Sequence, residues 1–204
     1  MTKIQIKEFN PTDLEKVRQF ATTGMQFDKY IENKFALYFY GKIVAEMELK
    51  NSTIALGAYL ENKLVGFIFA RVNFQRLKYS TLKRNLTVNL GNKLINLFDN
   101  DDMAKTYDQA NQRMLKRFMK NKPDGEITFF AVDSNIKHQG IGTQLLEALE
   151  NKLQNQLIYV FTDSNCDYQF YLKRGFKIFD QIDVTLDEKD STPLTCFLLY
   201  KNIL

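Results

Sequence analysis

Residues 126–163 read EITFFAVDS, NIKHQGIGTQLLEALENKLQNQ and LIYVFTD in direct succession. The outer two are short apolar runs rich in β-branched and aromatic residues, the pattern of buried strands. Between them stand a Gly-x-Gly turn and a helical stretch over 142–154. Its Leu145, Leu146, Leu149 and Leu153 share one face, with Glu147, Glu150 and Lys152 on the other. Strand, turn, helix and strand in that order make a βαβ crossover, because a tight hairpin cannot join two parallel strands. This unit alone commits the chain to an α/β architecture.

The flanking sequence extends it. KIQIKEF (3–9) alternates polar and apolar residues, as a half-buried strand does. Thr12 with Glu15 fits a capping box, and Pro11 suits a helix start. Leu14, Val17, Ala21 and Met25 then recur at helical spacing. A second helical stretch over 28–50 carries Tyr30, Phe35, Leu37 and Ala45, with a break expected at Gly41. Residues 52–74 read as a hairpin around Glu61-Asn62-Lys63. Residues 164–174 read as helical and end at Gly175, and KIFDQIDVTL and LTCFLLYKN form a last strand pair, so the sheet is mixed. With no repeat and no low-complexity linker, one domain over 1–204 is expected, with an insertion at 75–122. Within it, 104–120 places Tyr107, Ala110, Met114 and Phe118 on one helical face, a stripe that serves as core or as the seam of a homodimer.

Composition narrows the chemistry. The single histidine, His138, excludes a His-rich metal site and argues against a Ser-His or Cys-His triad. Cys166 and Cys196 form neither a disulfide framework nor a paired metal motif, so no metal is expected. No apolar run approaches the roughly 18 residues of a membrane span, and the N-terminal residues lack an apolar signal region. A reduced, cytoplasmic protein without a membrane partner is the expectation. The net charge of +4 is uneven: Arg71 to Lys122 holds twelve Lys/Arg against four Asp/Glu. That stretch is a solvated surface or a face for phosphates or an acidic partner. No nucleic-acid recognition motif accompanies it, and no nucleic-acid partner is expected.

The Gly-x-Gly turn carries the functional question. The first amides of a helix lack partners and sit at the positive end of its dipole, and glycine lets the backbone turn sharply beside a ligand. A strand, Gly140, Gly142 and a helix therefore suit a pyrophosphate, and they equally suit a turn that feeds a core helix. The loop lacks Gly-Lys-Ser/Thr, so it is no Walker A loop, and it lacks the third glycine of a dinucleotide fingerprint.

Two motifs taken together point further. EITFFAVDSNIKHQGIGTQLLEALE (126–150) resembles the acetyl-CoA-binding motif of the GNAT N-acetyltransferase superfamily, Gln/Arg-x-x-Gly-x-Gly/Ala after a strand and before a helix. Lys137, Gly140 and Gly142 occupy its key positions, with Lys137 in place of the usual Gln or Arg. SNCDYQFYLKRGF (164–176) resembles the second marker of that family, a helix ending in Phe-Tyr-x-x-x-Gly-Phe, matched by Phe170, Tyr171, Gly175 and Phe176.

The resemblance implies a GNAT-like acyl-CoA N-acyltransferase fold: a mixed, mostly antiparallel central sheet with helices on both faces. It implies acetyl-CoA as acyl donor. The pyrophosphate would lie on Lys137, His138, Gln139, Gly140, Ile141, Gly142 and Thr143. The pantetheine arm would pair with the backbone of Phe130, Ala131 and Val132, where relatives splay their fourth and fifth strands. Ser164 or Asn165 would contact the pantetheine, or else cap the next helix.

Amine acetylation must deprotonate the amine, stabilise a tetrahedral oxyanion and protonate the departing thiolate. By resemblance Glu126 is the candidate base, the backbone N–H near Val132 the oxyanion donor and Tyr171 the candidate acid. The plain alternatives are a solvent-facing glutamate and an aromatic packed beside Phe170 and Phe176. Cys166 reads as a small apolar residue and not as a nucleophile. The acceptor implied is a primary amine on a small molecule or peptide, attacking directly in a ternary complex. Its pocket would come mainly from 25–50 and 75–122. The alternative is a GNAT-like protein that binds acyl-CoA as a sensor with little or no catalysis.

Overall fold

A computed structural model describes residues 3–24, 33–98, 102–136, 139–185 and 193–204. The chain runs through β1 (Gln5–Glu8), a 3-10 turn (Pro11–Asp13), α1 (Leu14–Gly24), α2 (Lys34–Asn51), β2 (Ile54–Leu60) and β3 (Lys63–Val72). It continues through α3 (Leu82–Phe98), α4 (Asp102–Phe118), β4 (Gly125–Val132), α5 (Ile141–Glu150) and β5 (Leu157–Asp163). It ends with α6 (Tyr168–Leu172), β6 (Lys177–Val184) and β7 (Leu194–Asn202). The strands form a seven-stranded sheet in the order β1-β2-β3-β4-β5-β7-β6. Strand β4 runs parallel to β5, whereas β1–β2, β2–β3, β5–β7 and β6–β7 are antiparallel. The expected mixed, mostly antiparallel sheet is the one observed.

Two compact units divide the chain: Met1–Phe98 with Thr128–Gln154, and Asp99–Ile127 with Asn155–Leu204. Strand β4 gives its first residues to the second unit and its last to the first.

In the first unit, alternation along β3 assigns the helices to faces. Phe67 and Phe69 pack with Phe9, Val17 of α1, Leu49 of α2 and Phe129 of β4. Ring centroids lie 4.9 Å apart for Phe67–Phe69 and 5.2 Å for Phe67–Phe129. Gly66 faces the other way, towards Ile141 and Leu145 of α5. The hairpin closes on Glu61 and Asn62 alone, both left-handed (φ 50° and 63°), and Lys63 is already paired with Leu60. Two successive positive φ values suit the strand twist of a two-residue hairpin turn.

In the first two helices the sequence expectations fail locally at the capping box and at Gly41. The capping box at Thr12 and Glu15 does not form. Asn10 supplies the acceptor for the Thr12 amide at 3.2 Å, and Glu15 pairs with Arg18 at 2.6 Å. Pro11 opens a 3-10 turn there, which moves the α-helix start to Leu14. Gly41 does not break its helix, and α2 is continuous through it. A β-carbon at Gly41 would stand 3.1 Å from Arg18 Cγ and 3.2 Å from Thr22 Oγ1, so glycine serves the close approach of α1. Met25 and Tyr30 lie outside the described residues.

Among the described residues the 75–122 stretch contains α3, α4 and a 3-10 turn (Met119–Asn121). In the first unit α3 lies on α2, with Gly91 against Ile43. In the second unit α4 buries Ala110, Met114 and Phe118 with Tyr159, Cys196 and Leu198. The expected stripe is therefore core, used within its own unit.

Candidate active site

Within the first unit, the described residues after β4 begin with a turn organised by Asp133. The Asp133 amide donates to the Val65 carbonyl at 2.9 Å, anchoring the end of β4 to β3. Asp133 Oδ1 accepts from the Asn135 amide at 3.0 Å and its Nδ2 at 2.9 Å. Lys137 and His138 lie outside the described residues. Gln139 and Gly140 are exposed, and Gly140 takes φ 63° immediately before α5. A β-carbon there would meet nothing within 4 Å, so the backbone at the helix entrance is open to approach. Glycine is required by the torsion and not by a neighbour. With no side chain at this cap, the first turn of α5 suits an anion.

The leucine face behaves as support for that turn. Leu145, Leu146, Leu149 and Leu153 are all buried, although α5 ends at Glu150 and Leu153 follows in a turn. Ile141 is buried too, so only its backbone can serve a ligand. Phe130, Ala131 and Val132 are half-buried at the end of β4. Gly66, absent from the sequence-derived site, brings these parts together. A β-carbon on it would stand 3.1 Å from Ile141 Cγ2, 3.2 Å from Leu145 Cδ1 and 3.3 Å from the Ala131 carbonyl oxygen. Its only sequence signal is a glycine inside an apolar strand, which marks close backbone approach.

Within the second unit, Gly125, Glu126 and Ile127 pair in parallel with Ile158, Tyr159 and Val160. Glu126 is half-buried and accepts a 3.1 Å hydrogen bond from the Tyr159 hydroxyl. The Tyr159 ring is buried edge-on against Phe118, centroids 5.5 Å apart. Glu126 is thus a held carboxylate, and Tyr159 is a partner that sequence reading missed. A tyrosine in an otherwise apolar strand was the available signal, because a buried phenol requires a hydrogen-bond partner.

Tyr171 is 9% exposed. Its ring meets Phe170 and Phe176 edge-on, at 5.3 Å and 5.4 Å. Burial, then the nearby Cys166 and Asp167, push its phenol well above the usual tyrosine value. The hydroxyl therefore keeps its proton, the form a general acid needs, while the ring is part of the packing.

Asp163 organises the turn after β5. Its Oδ1 accepts from the amides of Asn165 and Cys166 at 2.9 Å and 3.2 Å, and its Oδ2 accepts from the Tyr107 hydroxyl at 3.3 Å. Ser164 Oγ accepts the Thr195 amide at 3.1 Å and so ties the turn to β7. Asn165 is exposed. Neither caps the next helix. Asp167 does so, through the Phe170 amide, and α6 starts at Tyr168, later than the sequence suggested. Gly175 follows α6 with φ 85°, a torsion suited to glycine just past a helix end. The Cys166 thiol is raised to about 12 by burial and by Asp163, which removes it as a nucleophile. Among the described residues no three His, Cys, Asp or Glu side chains gather as a metal site.

Comparisons with known proteins agree with this layout. The family model for the acetyltransferase (GNAT) family matches residues 15–176. No curated protein matches the chain. Among solved structures, one described as histone acetyltransferase HPA2 and related acetyltransferase from Corynebacterium glutamicum superposes with a TM-score of 0.64 at 14% identity, covering 100% of this chain and 98% of that one. An aminoglycoside 6'-N-acetyltransferase complexed with coenzyme A gives 0.58 at 16% identity, covering 98% and 97%. The PaiA N-acetyltransferase from Thermoplasma acidophilum, in complex with coenzyme A, gives 0.52 at 17% identity, covering 98% and 99%. At these identities the likeness is one of fold.

Proposed function

The chain belongs to the acetyltransferase (GNAT) family, and from that premise we propose that it transfers the acetyl group of acetyl-CoA to a primary amine of a small molecule or peptide. The observation that carries this reading is the open, left-handed Gly140 at the entrance of α5, directly after β4 and its turn. The donor pyrophosphate lies along the backbone from Lys137 to Thr143, and the pantetheine arm runs along Phe130 to Val132. Asn165, or Ser164 whose Oγ also accepts the Thr195 amide, contacts the pantetheine. Two of the similar structures contain coenzyme A, which supports a donor of this class.

The reaction is direct attack in a ternary complex. Glu126, through a water, takes the proton of the ammonium, since the charged form is no nucleophile. The amine attacks the thioester carbonyl, and a backbone N–H near Val132 stabilises the oxyanion. The C–S bond breaks, Tyr171 protonates the departing thiolate, and the nitrogen gives up its second proton to the Tyr171 phenolate, leaving the neutral amide and the free thiol. Titration calorimetry with acetyl-CoA, followed by free-thiol detection over polyamines, aminoglycosides, amino acids and peptide N-termini, tests the reading. Absence of acetyl-CoA binding at millimolar ligand sinks it.

One observation favours a second reading, an acyl-CoA-binding sensor with little catalysis. Glu126 already accepts a hydrogen bond from Tyr159 and is not free to act solely on an incoming amine. Acetyl-CoA binding with no thiol release across the whole acceptor panel selects this reading.

A further inference from the structure

Helix α3 is apolar on two sides. One side meets α2, where Val88 and Gly91 are buried, Gly91 against Ile43. The other carries Leu82, Leu86 and Leu90, which are 85%, 63% and 61% exposed. Spacing of four residues sets these leucines in one row along the helix. Lys83 lies three residues before Leu86 and Lys93 three after Leu90, so exposed lysines flank the row. The loop before the helix adds Phe74, whose ring is wholly exposed on a backbone held at φ 63°. From Arg71 to Phe98 there are six Lys/Arg and no Asp or Glu. Lys78 and Arg84 pair with Glu8 and Glu46, while Arg76, Lys83 and Lys93 stand at the surface.

A helix at the surface of a globular protein normally turns a single apolar stripe, and turns it inward. A second exposed leucine row with a phenylalanine beside it in sequence marks an interaction surface. Charge narrows the occupant. A second copy laid antiparallel along the row would set lysine against lysine, which repels. An acidic amphipathic peptide would match the charge, yet peptide helices dock into grooves whose walls shelter the apolar side chains, and these leucines stand 61–85% exposed. A yielding, negatively charged interface accepts such a row.

We propose that α3 and the Phe74 loop form a peripheral docking surface for anionic lipid. Leu82, Leu86, Leu90 and Phe74 enter the boundary between headgroups and acyl chains, and Arg76, Lys83 and Lys93 meet lipid phosphates. This is contact with one leaflet, since no described helix is long and apolar enough to cross a membrane.

Co-sedimentation of the full chain with vesicles tests the proposal. Vesicles of phosphatidylcholine with phosphatidylglycerol carry the protein down, and vesicles of phosphatidylcholine alone do not. The combined Leu82→Gln, Leu86→Gln and Leu90→Gln variant lowers partitioning about tenfold, and so does Lys83→Glu with Lys93→Glu. Acetyl-CoA binding stays unchanged in both, which separates this result from the fate of the enzymatic reading. If the leucine variant does not fold, the lysine variant gives the same reading. Failure to sediment with anionic vesicles overturns the proposal, as does sedimentation that neither variant changes. A dimer in light scattering that Leu86→Gln dissociates, with vesicles ignored, assigns the row to a second copy and also overturns it. Capture by an acidic helical peptide without vesicle binding does the same.

Discussion

The Tyr159 hydroxyl donates to Glu126 Oε2 at 3.1 Å, across the parallel pairing of β5 with β4. The carboxylate is therefore held in one orientation by a ring that is itself anchored against Phe118. If Glu126 is the base, two substitutions separate its chemistry from its placement. Glu126→Gln lowers kcat by about 10²-fold or more with KM for acetyl-CoA unchanged. Tyr159→Phe lowers kcat by a smaller factor, because the base remains but is less well oriented. Steady-state kinetics across an amine substrate found in the screen checks both. Equal activity of Glu126→Gln and the native chain removes Glu126 from the mechanism.

Tyr171 presents one hydroxyl in a nearly closed aromatic pocket. Tyr171→Phe keeps the packing with Phe170 and Phe176, so the melting temperature moves little. Loss of the proton donor lowers kcat about 10²-fold. Because burial raises its phenol, Tyr171 stays protonated past pH 10 and sets no alkaline limb in the pH–rate profile below that. Unchanged turnover in Tyr171→Phe assigns the residue to packing alone.

Gly66 gives α5 and the end of β4 their close fit. Gly66→Ala forces a β-carbon to 3.1 Å from Ile141 Cγ2 and 3.3 Å from the Ala131 carbonyl oxygen. Overpacking of this kind costs about 1–3 kcal/mol. The expected result is a lower denaturation midpoint together with weaker acetyl-CoA binding by calorimetry, since both parts of the proposed donor site shift. A stability loss with native affinity separates the helix seat from the site.

Gly140 behaves differently because only its torsion constrains it. Gly140→Ala costs about 1–2 kcal/mol from the left-handed backbone, and Gly140→Asn costs less because asparagine tolerates that region. Acetyl-CoA affinity follows the same order: glycine, then asparagine, then alanine. Equal affinity in all three shows that the turn does not carry the pyrophosphate.

Alkaline pH is expected to destabilise this chain through its buried phenols and thiols. Tyr59 and Tyr79 rise to about 12 from 10.0, and Cys166 and Cys196 to about 12 from 9.0, all chiefly by burial. Tyr107 and Tyr171 shift the same way. Each group holds its proton longer in the folded chain than in the unfolded one. Their contribution is therefore complete below pH 9 and is lost as pH rises towards 12. Denaturant midpoints level from pH 7 to 9 and falling steeply above 10 are the expected result. A midpoint still level at pH 11 contradicts the burial of these groups.

Much of this molecule was legible because its signals are local. The alternation of EITFFAV, the leucine spacing of α5 and the turn residues Gly140 and Gly175 depend on neighbours a few positions away. So did the hairpin and the final strand pair. The capping of α1 and the run of α2 through Gly41 were misread, and both depend on how the chain continues or on what lies beside it. Asn10 outcompetes Thr12 because Pro11 starts a tighter turn, and Gly41 is chosen by Arg18 and Thr22 of α1. Only the proposed docking of α3 on lipid departs from the sequence expectation of no membrane partner. Composition bears on a span, whereas the exposed leucine row of α3 appears only once Val88 and Gly91 are known to face inward.

By itself, the sequence determined the βαβ unit, the two motifs that bracket it and the leucine support behind the glycine turn, because periodicity and backbone torsion are written residue by residue. Tertiary structure alone decided that Tyr159 holds Glu126, that Gly66 seats α5 against β4, that Asp163 gathers the turn after β5 and that the insertion splits into a core helix and an exposed one. Those facts are contacts between distant positions. Such contacts are fixed by which surfaces pack together, and no local pattern encodes the partner of a buried phenol or a glycine.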